Sequence, residues 1–203
     1  MNTKVIALIV AVVLVGVLWI VFGQGQEKKE ITFSDGVKEI NSLWEKNKVD
    51  SSFLVSSSAA ISFSSSDLEA LKNDLTAFQN SLNDFKQSDE TETLKDFTEI
   101  HLILVDEMEL ALQLKEANDR LSAKEITGAN LCSNKTDLQF VGTNTILLNE
   151  KMHSVNELIY AFNEVHPGLE EEANLASFIA DETFFSQAKL ENETVLSELE
   201  RLC

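Results

Sequence analysis

The stretch that decides the fold is residues 136–164, TDLQFVGTNTILLNEKMHSVNELIYAFNE. Its seam positions are separated by alternating steps of three and four residues, seven steps in succession. This spacing places them on one face of an α-helix and is typical of helices that pack against one another. The positions are Leu138, Val141, Thr145, Leu148, Met152, Val155, Ile159 and Phe162.

Two further stretches carry the same pattern. Residues 67–87 are predicted to form a helix whose capping box is made by Ser66 and Glu69. Residues 93–123 are predicted to form a second long helix, with His101 on its apolar seam. Shorter or less regular patterns predict helices over residues 34–47, 170–180 and 183–202.

The last of these helices, over residues 183–202, is expected to turn one apolar face inward. That face consists of Phe185, Ala188, Val195, Leu199 and Leu202. In the helix over residues 34–47, the inward positions are Val37, Ile40 and Trp44.

Residues 49–66 fit no single pattern, because serines alternate irregularly with apolar side chains. A helix with a small-residue face that packs closely on a neighbour is the favoured interpretation. A flexible serine-rich linker and a β-strand remain open as alternatives.

The first apolar run begins at Val5 and ends at Phe22, and it contains no charged or polar side chain. As a helix it would be roughly 27 Å long, close to the ~30 Å hydrocarbon core of a bilayer. A retained membrane anchor is therefore favoured. A cleaved signal peptide and a buried soluble helix are the alternatives, but signal peptides usually have shorter apolar regions.

Composition supports helices, since only one proline and seven glycines occur in 203 residues. We predict an all-α fold: an N-terminal transmembrane helix followed by an antiparallel bundle of four long helices plus shorter ones. The predicted organisation is a tail over residues 1–4, the anchor over 5–22, a juxtamembrane linker over 23–33 and one helical domain over 34–203.

The formal net charge is −18. So negative a surface repels phosphate, which argues against nucleic acid as a partner and against lying flat on anionic lipid. The expected partners are the lipid bilayer, through the run from Val5 to Phe22, and a protein of unknown identity. That protein would contact either the acidic face or the serine-rich segment.

The two cysteines, Cys132 and Cys203, are predicted to lie at the same end of an up-and-down bundle and to form a disulfide. A disulfide requires an oxidising compartment, so we expect the bulk of the chain outside the cytoplasm. Two acceptor patterns for N-glycosylation start at Asn134 and Asn192, and they matter only in a compartment that glycosylates.

The histidines give little evidence for a catalytic or metal-binding site. Glu150 and His153 form the chain's only Glu-x-x-His pattern, whereas a di-iron bundle needs two. His153 and Glu157 have the spacing of a surface pair, and His101 is expected to be a polar core residue. No catalytic, metal-binding or cofactor-binding set is predicted.

The residues point to no named family. The leading hypothesis is a membrane-anchored, extracytoplasmic helical domain with a non-catalytic role in binding, assembly or envelope structure. One alternative is a ligand-sensing domain that works with a separate signalling subunit. Another is a metal-dependent helical-bundle enzyme built on His101, His153 and nearby carboxylates.

Overall fold

The computed structural model describes residues 28–50, 63–179 and 182–203, without the side chains of residues 170, 182–186 and 188. This part of the chain is entirely helical, with no strand. Six α-helices are present in it: α1 Phe33–Lys46, α2 Ser65–Ser81, α3 Asp89–Ser122, α4 Lys135–Val165, α5 Glu170–Ala173 and α6 Glu182–Leu202. Three short 3-10 helices lie over Leu82–Asp84, Cys132–Asn134 and Leu175–Phe178.

The predicted anchor over residues 5–22 and most of the serine-rich segment, residues 51–62, fall outside the described residues. Within the described ranges, no helix combines the length and the apolar character needed to cross a bilayer.

The start of α2 corrects the predicted cap. Ser64, not Ser66, is the N-cap, and its partner in the capping box is Asp67 rather than Glu69. Phe63 and Leu68 are both buried and occupy the two positions of a hydrophobic staple around this cap. Burial of Phe63 therefore determines which of the competing serines begins the helix.

The predicted helix over residues 170–180 is also wrong in extent. It stops at Ala173, because Asn174 adopts a left-handed conformation with φ 50°, and a separate 3-10 turn follows over Leu175–Phe178. A run of α-helix cannot pass through a left-handed residue.

The four long helices pack mainly in chain order, α2 on α3, α3 on α4, and α4 on α6. Neighbours run antiparallel: Lys72 of α2 pairs with Asp106 of α3, and Lys189 of α6 pairs with Glu150 of α4. Helix α1 crosses α2 and α3, and its Phe33 ring lies 5.4 Å from the ring of Phe97.

Burial divides the molecule into two parts. The broad end contains the main apolar core, where α1, α2, most of α3, the last turns of α4 and α5 meet. The narrow end consists of the last turns of α3, the first half of α4 and most of α6. Its buried apolar side chains lie outside the main core and are Leu114, Ala117, Leu121 and Leu199.

Helix α6 also departs from the sequence prediction. Leu199 is buried as predicted, but Val195 and Leu202 are each 56% exposed. The extensive contacts of α6 are with α4 alone, so one face of a wide apolar stripe stays uncovered. Phe185 and Ala188 have no described side chains.

The last part of the predicted linker over residues 23–33 is held against the turn between α2 and α3. The Lys86 backbone N–H donates to the Lys29 carbonyl at 2.9 Å, and the Lys86 ammonium pairs with Glu30 at 2.6 Å. The Lys28 ammonium donates to the Asn83 carbonyl at 2.8 Å. The chain is therefore fastened to the domain before α1 begins.

Candidate ligand-binding site

His101 lies on α3 in the broad end and is only 3% exposed. Three aromatic rings meet its imidazole edge-on, at centroid distances of 4.6 Å for Phe97, 5.7 Å for Trp44 and 5.8 Å for Phe178. The seam pattern of α3 places His101 inward, and α1 and the 3-10 turn after α5 supply two of the rings around it.

Neither ring nitrogen of His101 has a hydrogen-bond partner within the described part of the chain. Burial lowers the pKa of His101 to about 3, so the imidazole is neutral at physiological pH. A neutral imidazole has one N–H donor and one acceptor nitrogen. Both are left unused, and each unsatisfied buried group costs about 1–3 kcal/mol.

Trp44, which packs against the His101 ring, is in the same situation. It is 7% exposed and is held in the core by α1, whose buried face also carries Ile40 and Leu43. Its indole nitrogen, Nε1, is buried without a hydrogen-bond partner among the described residues. Two rings in edge contact thus contain three buried nitrogens without a hydrogen-bond partner among the described residues.

Trp44 and His101 line a cavity of about 500 Å³ between α1, α3 and the α5 region. Val49, Ala173 and Phe178 complete its apolar wall. The remaining lining side chains are polar, and we call them the rim: Asn41, Glu45, Lys48, Asp50, Asn174 and Ser177. Ligand sites in proteins have this combination of concave apolar wall and a few polar groups.

Two backbone positions at the rim are unusual. Lys48, with φ 57°, and Asn174, with φ 50°, are the non-glycine residues with positive φ in the described ranges. Lys48 ends α1: its N–H bonds to the Glu45 carbonyl, and the next residue, Val49, returns to the core. Left-handed residues other than glycine are costly and cluster at functional sites, and here both line the same cavity.

The rim carries charges of both signs. Glu45 and Lys48 are exposed, and neither lies within ion-pair distance of another side chain that the structure describes, although Lys48 attracts Asp67 at longer range. Ser177 is engaged locally, since its hydroxyl donates to the Asn174 carbonyl at 2.8 Å.

The other histidines do not join this site. His153 lies on the surface of α4, 3.6 Å from Glu157, as its spacing predicts. His166 follows α4 and contacts Thr93 at 3.3 Å and Asp96 at 3.8 Å. No group of three or more metal-ligating side chains is found among the described residues.

Glu107 is a buried acid that the sequence reasoning missed. It is 1% exposed, and its Oε1 has no hydrogen-bond partner among the described residues. Burial raises the pKa of Glu107 to about 8, with attraction to Lys151 opposing the rise. The available signal was heptad spacing, since Glu107 lies seven residues after Ile100 and seven before Leu114.

Cys132 and Cys203 form a disulfide with a Cα–Cα separation of 5.3 Å, which ties the end of α6 to the start of α4. Of the two glycosylation acceptors, Asn134 is 8% exposed. Its amide nitrogen donates to the Asn130 carbonyl, and its oxygen accepts from Lys124. The folded domain therefore does not present this amide, whereas Asn192 is half-buried on α6.

A fold alone does not define an activity, so the cavity itself must carry any functional argument. No relative supplies a second source of evidence. Neither a protein-family model, nor a curated protein, nor a solved structure matches this chain.

Proposed function

We propose that this protein is a membrane-anchored, non-catalytic binding domain on the oxidising side of a membrane. Its binding site is the cavity at the broad end, and its ligand is a small organic molecule. The observation that carries this proposal is the cavity of about 500 Å³ lined in part by Trp44 and His101, two buried rings whose three nitrogens have no hydrogen-bond partner among the described residues.

These nitrogens favour a ligand over a purely structural role. Leaving three buried polar atoms unsatisfied opposes folding by several kcal/mol in total, whereas apolar side chains of similar shape would avoid that cost. These nitrogens have no accessible surface in the structure, so a bound molecule would remove that cost only if the two rings turned toward the cavity. The cavity volume lies within the 300–1,000 Å³ range of small-molecule sites.

The arrangement favours binding over catalysis. General-base catalysis needs an imidazole within hydrogen-bond reach of a hydroxyl or thiol. Ser177 is the hydroxyl that lines the cavity, and it donates to Asn174 instead of His101. A histidine whose pKa is about 3 is also a poor proton acceptor at neutral pH.

Two features support the proposed location. The apolar run from Val5 to Phe22 is long enough for a bilayer anchor. The disulfide between Cys132 and Cys203 is typical of proteins that fold outside a reducing cytoplasm.

The test is a small-molecule screen on the full chain in lipid nanodiscs, read by thermal shift and by Trp44 fluorescence. Trp19 is replaced by Phe so that Trp44 is the single tryptophan. Ala173→Leu fills the cavity, and Ala176→Leu is the matched control, since Ala176 is exposed and does not line it.

We expect at least one compound to raise the melting temperature and shift Trp44 emission in the parent and in Ala176→Leu, but not in Ala173→Leu. Equal responses in both variants would place binding elsewhere. No response across a broad panel of metabolites would contradict the proposal.

A sensory domain that works with a separate signalling subunit is the second candidate. One observation favours it: Trp44 belongs to α1, the helix that directly follows the fastened linker. Ligand-dependent protection of α1 amides that extends back to Lys28 in hydrogen exchange would favour this form of the proposal. Protection confined to the cavity wall would favour simple binding.

A further inference from the structure

We infer that this protein associates with a second copy of itself through a row of exposed apolar side chains on α4. The row consists of Phe140, Leu147, Leu158 and Val165, which are 38%, 40%, 40% and 70% exposed, and we call it the α4 row. None of these residues lines the cavity at the broad end, so the inference does not depend on the proposed ligand.

Helical geometry places the α4 row on one face of the helix. Leu147 follows Phe140 by seven residues, Leu158 follows Leu147 by eleven, and Val165 follows Leu158 by seven. Seven and eleven residues are close to two and three whole turns, since an α-helix has about 3.6 residues per turn. The row is therefore nearly straight and extends over roughly 37 Å at 1.5 Å of rise per residue.

No helix in the described part of the chain covers the α4 row. The extensive contacts of α4 are with α3 and α6, and its buried side chains, such as Val155 and Ile159, point in other directions around the helix. Near the C-terminal end of α4, Leu158 and Val165 line a groove of about 220 Å³ between α4 and α3. The row is open to solvent and borders a depression into which a neighbour's side chain can enter.

The spacing of the α4 row is the same when read in either direction. The midpoint between Phe140 and Val165 falls between residues 152 and 153. The midpoint between Leu147 and Leu158 falls at the same place. Two antiparallel α4 helices related by a two-fold axis at this point bring Phe140 of each copy opposite Val165 of the other. The same arrangement brings Leu147 opposite Leu158.

This symmetry favours a second copy over a different protein. In a two-fold interface, every contact between two positions occurs twice, so the apolar positions must match themselves when the helix is reversed. A helix from another protein would impose no such condition on the row. The Phe140 ring of the second copy would also lie at the groove beside Val165, where the apolar lining includes Ala161 and Phe162.

The polar positions near the two-fold axis are compatible with this pairing. Lys151 and Ser154 lie between the two apolar pairs, equally far from the midpoint of the row. The antiparallel arrangement therefore places Lys151 of one copy opposite the small Ser154 of the other. No two like charges are directly opposed there, and the serine leaves room for the lysine stem.

The association should be weak and reversible. A helix about 10 Å wide that is covered along ~37 Å contributes roughly 400 Å² per copy, below the ~800 Å² per partner of a standard interface. Each copy also carries a net charge of −18, so the two repel one another. Added salt screens this repulsion and should strengthen the association. A basic helix bound to the same row would show the opposite salt dependence.

The first experiment is sedimentation equilibrium of the full chain in density-matched detergent micelles. Leu147→Glu places a charge in the middle of the row, and it enters the two-fold interface twice. Leu190→Glu is the matched control, because Leu190 is 66% exposed on α6 and the variant gains the same charge outside the row. Both positions are at the surface, so thermal unfolding should show that both variants remain folded.

We expect the parent to form dimers with a Kd of about 10 µM, and to form them several-fold more tightly in about 0.5 M than in about 0.05 M NaCl. Leu147→Glu should weaken dimerisation about 100-fold or more, since each of the two buried charges costs roughly tenfold. Leu190→Glu should stay within about twofold of the parent.

The second experiment tests the pairing of positions by disulfide cross-linking. The native chain offers no free thiol, because its two cysteines are joined to each other. Oxidation of a mixture of Phe140→Cys and Val165→Cys chains should give cross-linked dimers at least tenfold faster than either variant alone. The two copies of position 140 would be ~37 Å apart, too far for a disulfide.

Three results would overturn the inference. They are a chain that stays monomeric at about 100 µM, an equal loss of association in Leu147→Glu and Leu190→Glu, and equal cross-linking of the mixed and single variants. A monomeric chain that binds a synthetic amphipathic helix of leucine and lysine, and loses it in Leu147→Glu, would assign the row to a basic helix of another protein instead. Each of these results leaves the proposed ligand site untouched.

Discussion

The broad and narrow ends of this protein carry similar apolar patterns but bury them to different degrees. In the broad end, α3 has neighbours on several sides, and Leu94, Phe97 and Leu104 are at most 1% exposed. In the narrow end, α6 packs on α4, and Val195 and Leu202 on the same stripe remain 56% exposed. The number of partner helices, more than the apolar pattern itself, decides what is buried.

The largest test of this difference is removal of the disulfide by Cys132→Ser with Cys203→Ser. The bridge closes a loop with a sequence separation of 71, so its loss should lower the free energy of unfolding by about 4 kcal/mol. Since the narrow end has the smaller core, hydrogen exchange should show α6 losing protection first. Equal loss of protection in α2 and α6 would show that the ends are not distinct in stability.

The second test acts on Glu107, where α3 passes from the broad end toward the narrow end. Its raised folded pKa of about 8 means that its contribution to stability is complete below the unfolded pKa of 4.5 and is lost as pH rises through 8. Between pH 6.5 and 8, the wild-type free energy of unfolding should fall by about 2 kcal/mol from this residue alone.

Glu107→Gln keeps the shape of the side chain and cannot ionise, so its stability should be nearly flat over that pH interval. His101 does not interfere, because its folded pKa of about 3 gives stability that rises with pH only up to about 6.5. The free energy of unfolding of both proteins is measured by urea denaturation across this pH range. If it changes with pH in the same way in wild type and variant, ionisation of Glu107 is not the cause of the loss.

The third test compares one glycine from each end. A Cβ at Gly36 would lie 2.1 Å from Leu94, which is fully buried in the broad core. A Cβ at Gly142 would lie 2.9 Å from the tip of Leu196, which is half-buried between α4 and α6. Gly36→Ala should therefore destabilise by about 1–2 kcal/mol, even after the gain in helix propensity.

Gly142→Ala should be close to neutral, because Leu196 can move aside and alanine favours the helix. Thermal and urea unfolding of the two variants measure the contrast directly. If Gly142→Ala lowers the free energy of unfolding more than Gly36→Ala does, the narrow end is the more tightly packed of the two.

The smallest expected effect concerns ion pairs between helices. The pair of Lys72 and Asp106 in the broad end is partly exposed, and a double-mutant cycle should give less than about 1 kcal/mol. The pair of Lys189 and Glu150 on α6 and α4 is more exposed and should give a smaller coupling. Both couplings should vanish in 1 M NaCl, and a coupling that survives salt would indicate a desolvated pair.

The apolar patterns predicted α1, α3, α4 and α6 to within about four residues at each end, because apolar spacing reports directly which face a helix buries. They predicted the ends of α2 and α5 too late, since α2 ends at Ser81 rather than residue 87 and α5 at Ala173 rather than residue 180. The same reasoning placed both His101 and Trp44 inward. It could not bring them together, because their meeting depends on how α1 crosses α3. It also depends on the left-handed residues Lys48 and Asn174, which no apolar pattern encodes.

Glu107 shows the opposite failure. Its heptad spacing indicates a buried position, but its acidic side chain suggests an exposed one. A glutamate beside Asp106 is expected at the surface from its residue type, although the heptad register of Glu107 matches that of Ile100 and Leu114. Periodicity was a better guide to its burial than polarity. Val195 and Leu202 were misplaced for the reverse reason, since a suitable register does not guarantee a second helix to cover it.

The contacts of Lys28, Lys29 and Glu30 with the turn after α2 would limit how far this domain could lie from a membrane that held the start of the chain. If residues 5–22 hold the chain in a bilayer, only residues 23–27 remain as a tether, which spans at most about 18 Å when fully extended. The domain would then stay close to the lipid surface and bind solutes from the solution next to it. A protein partner in the same membrane would be easier for it to contact than a distant one.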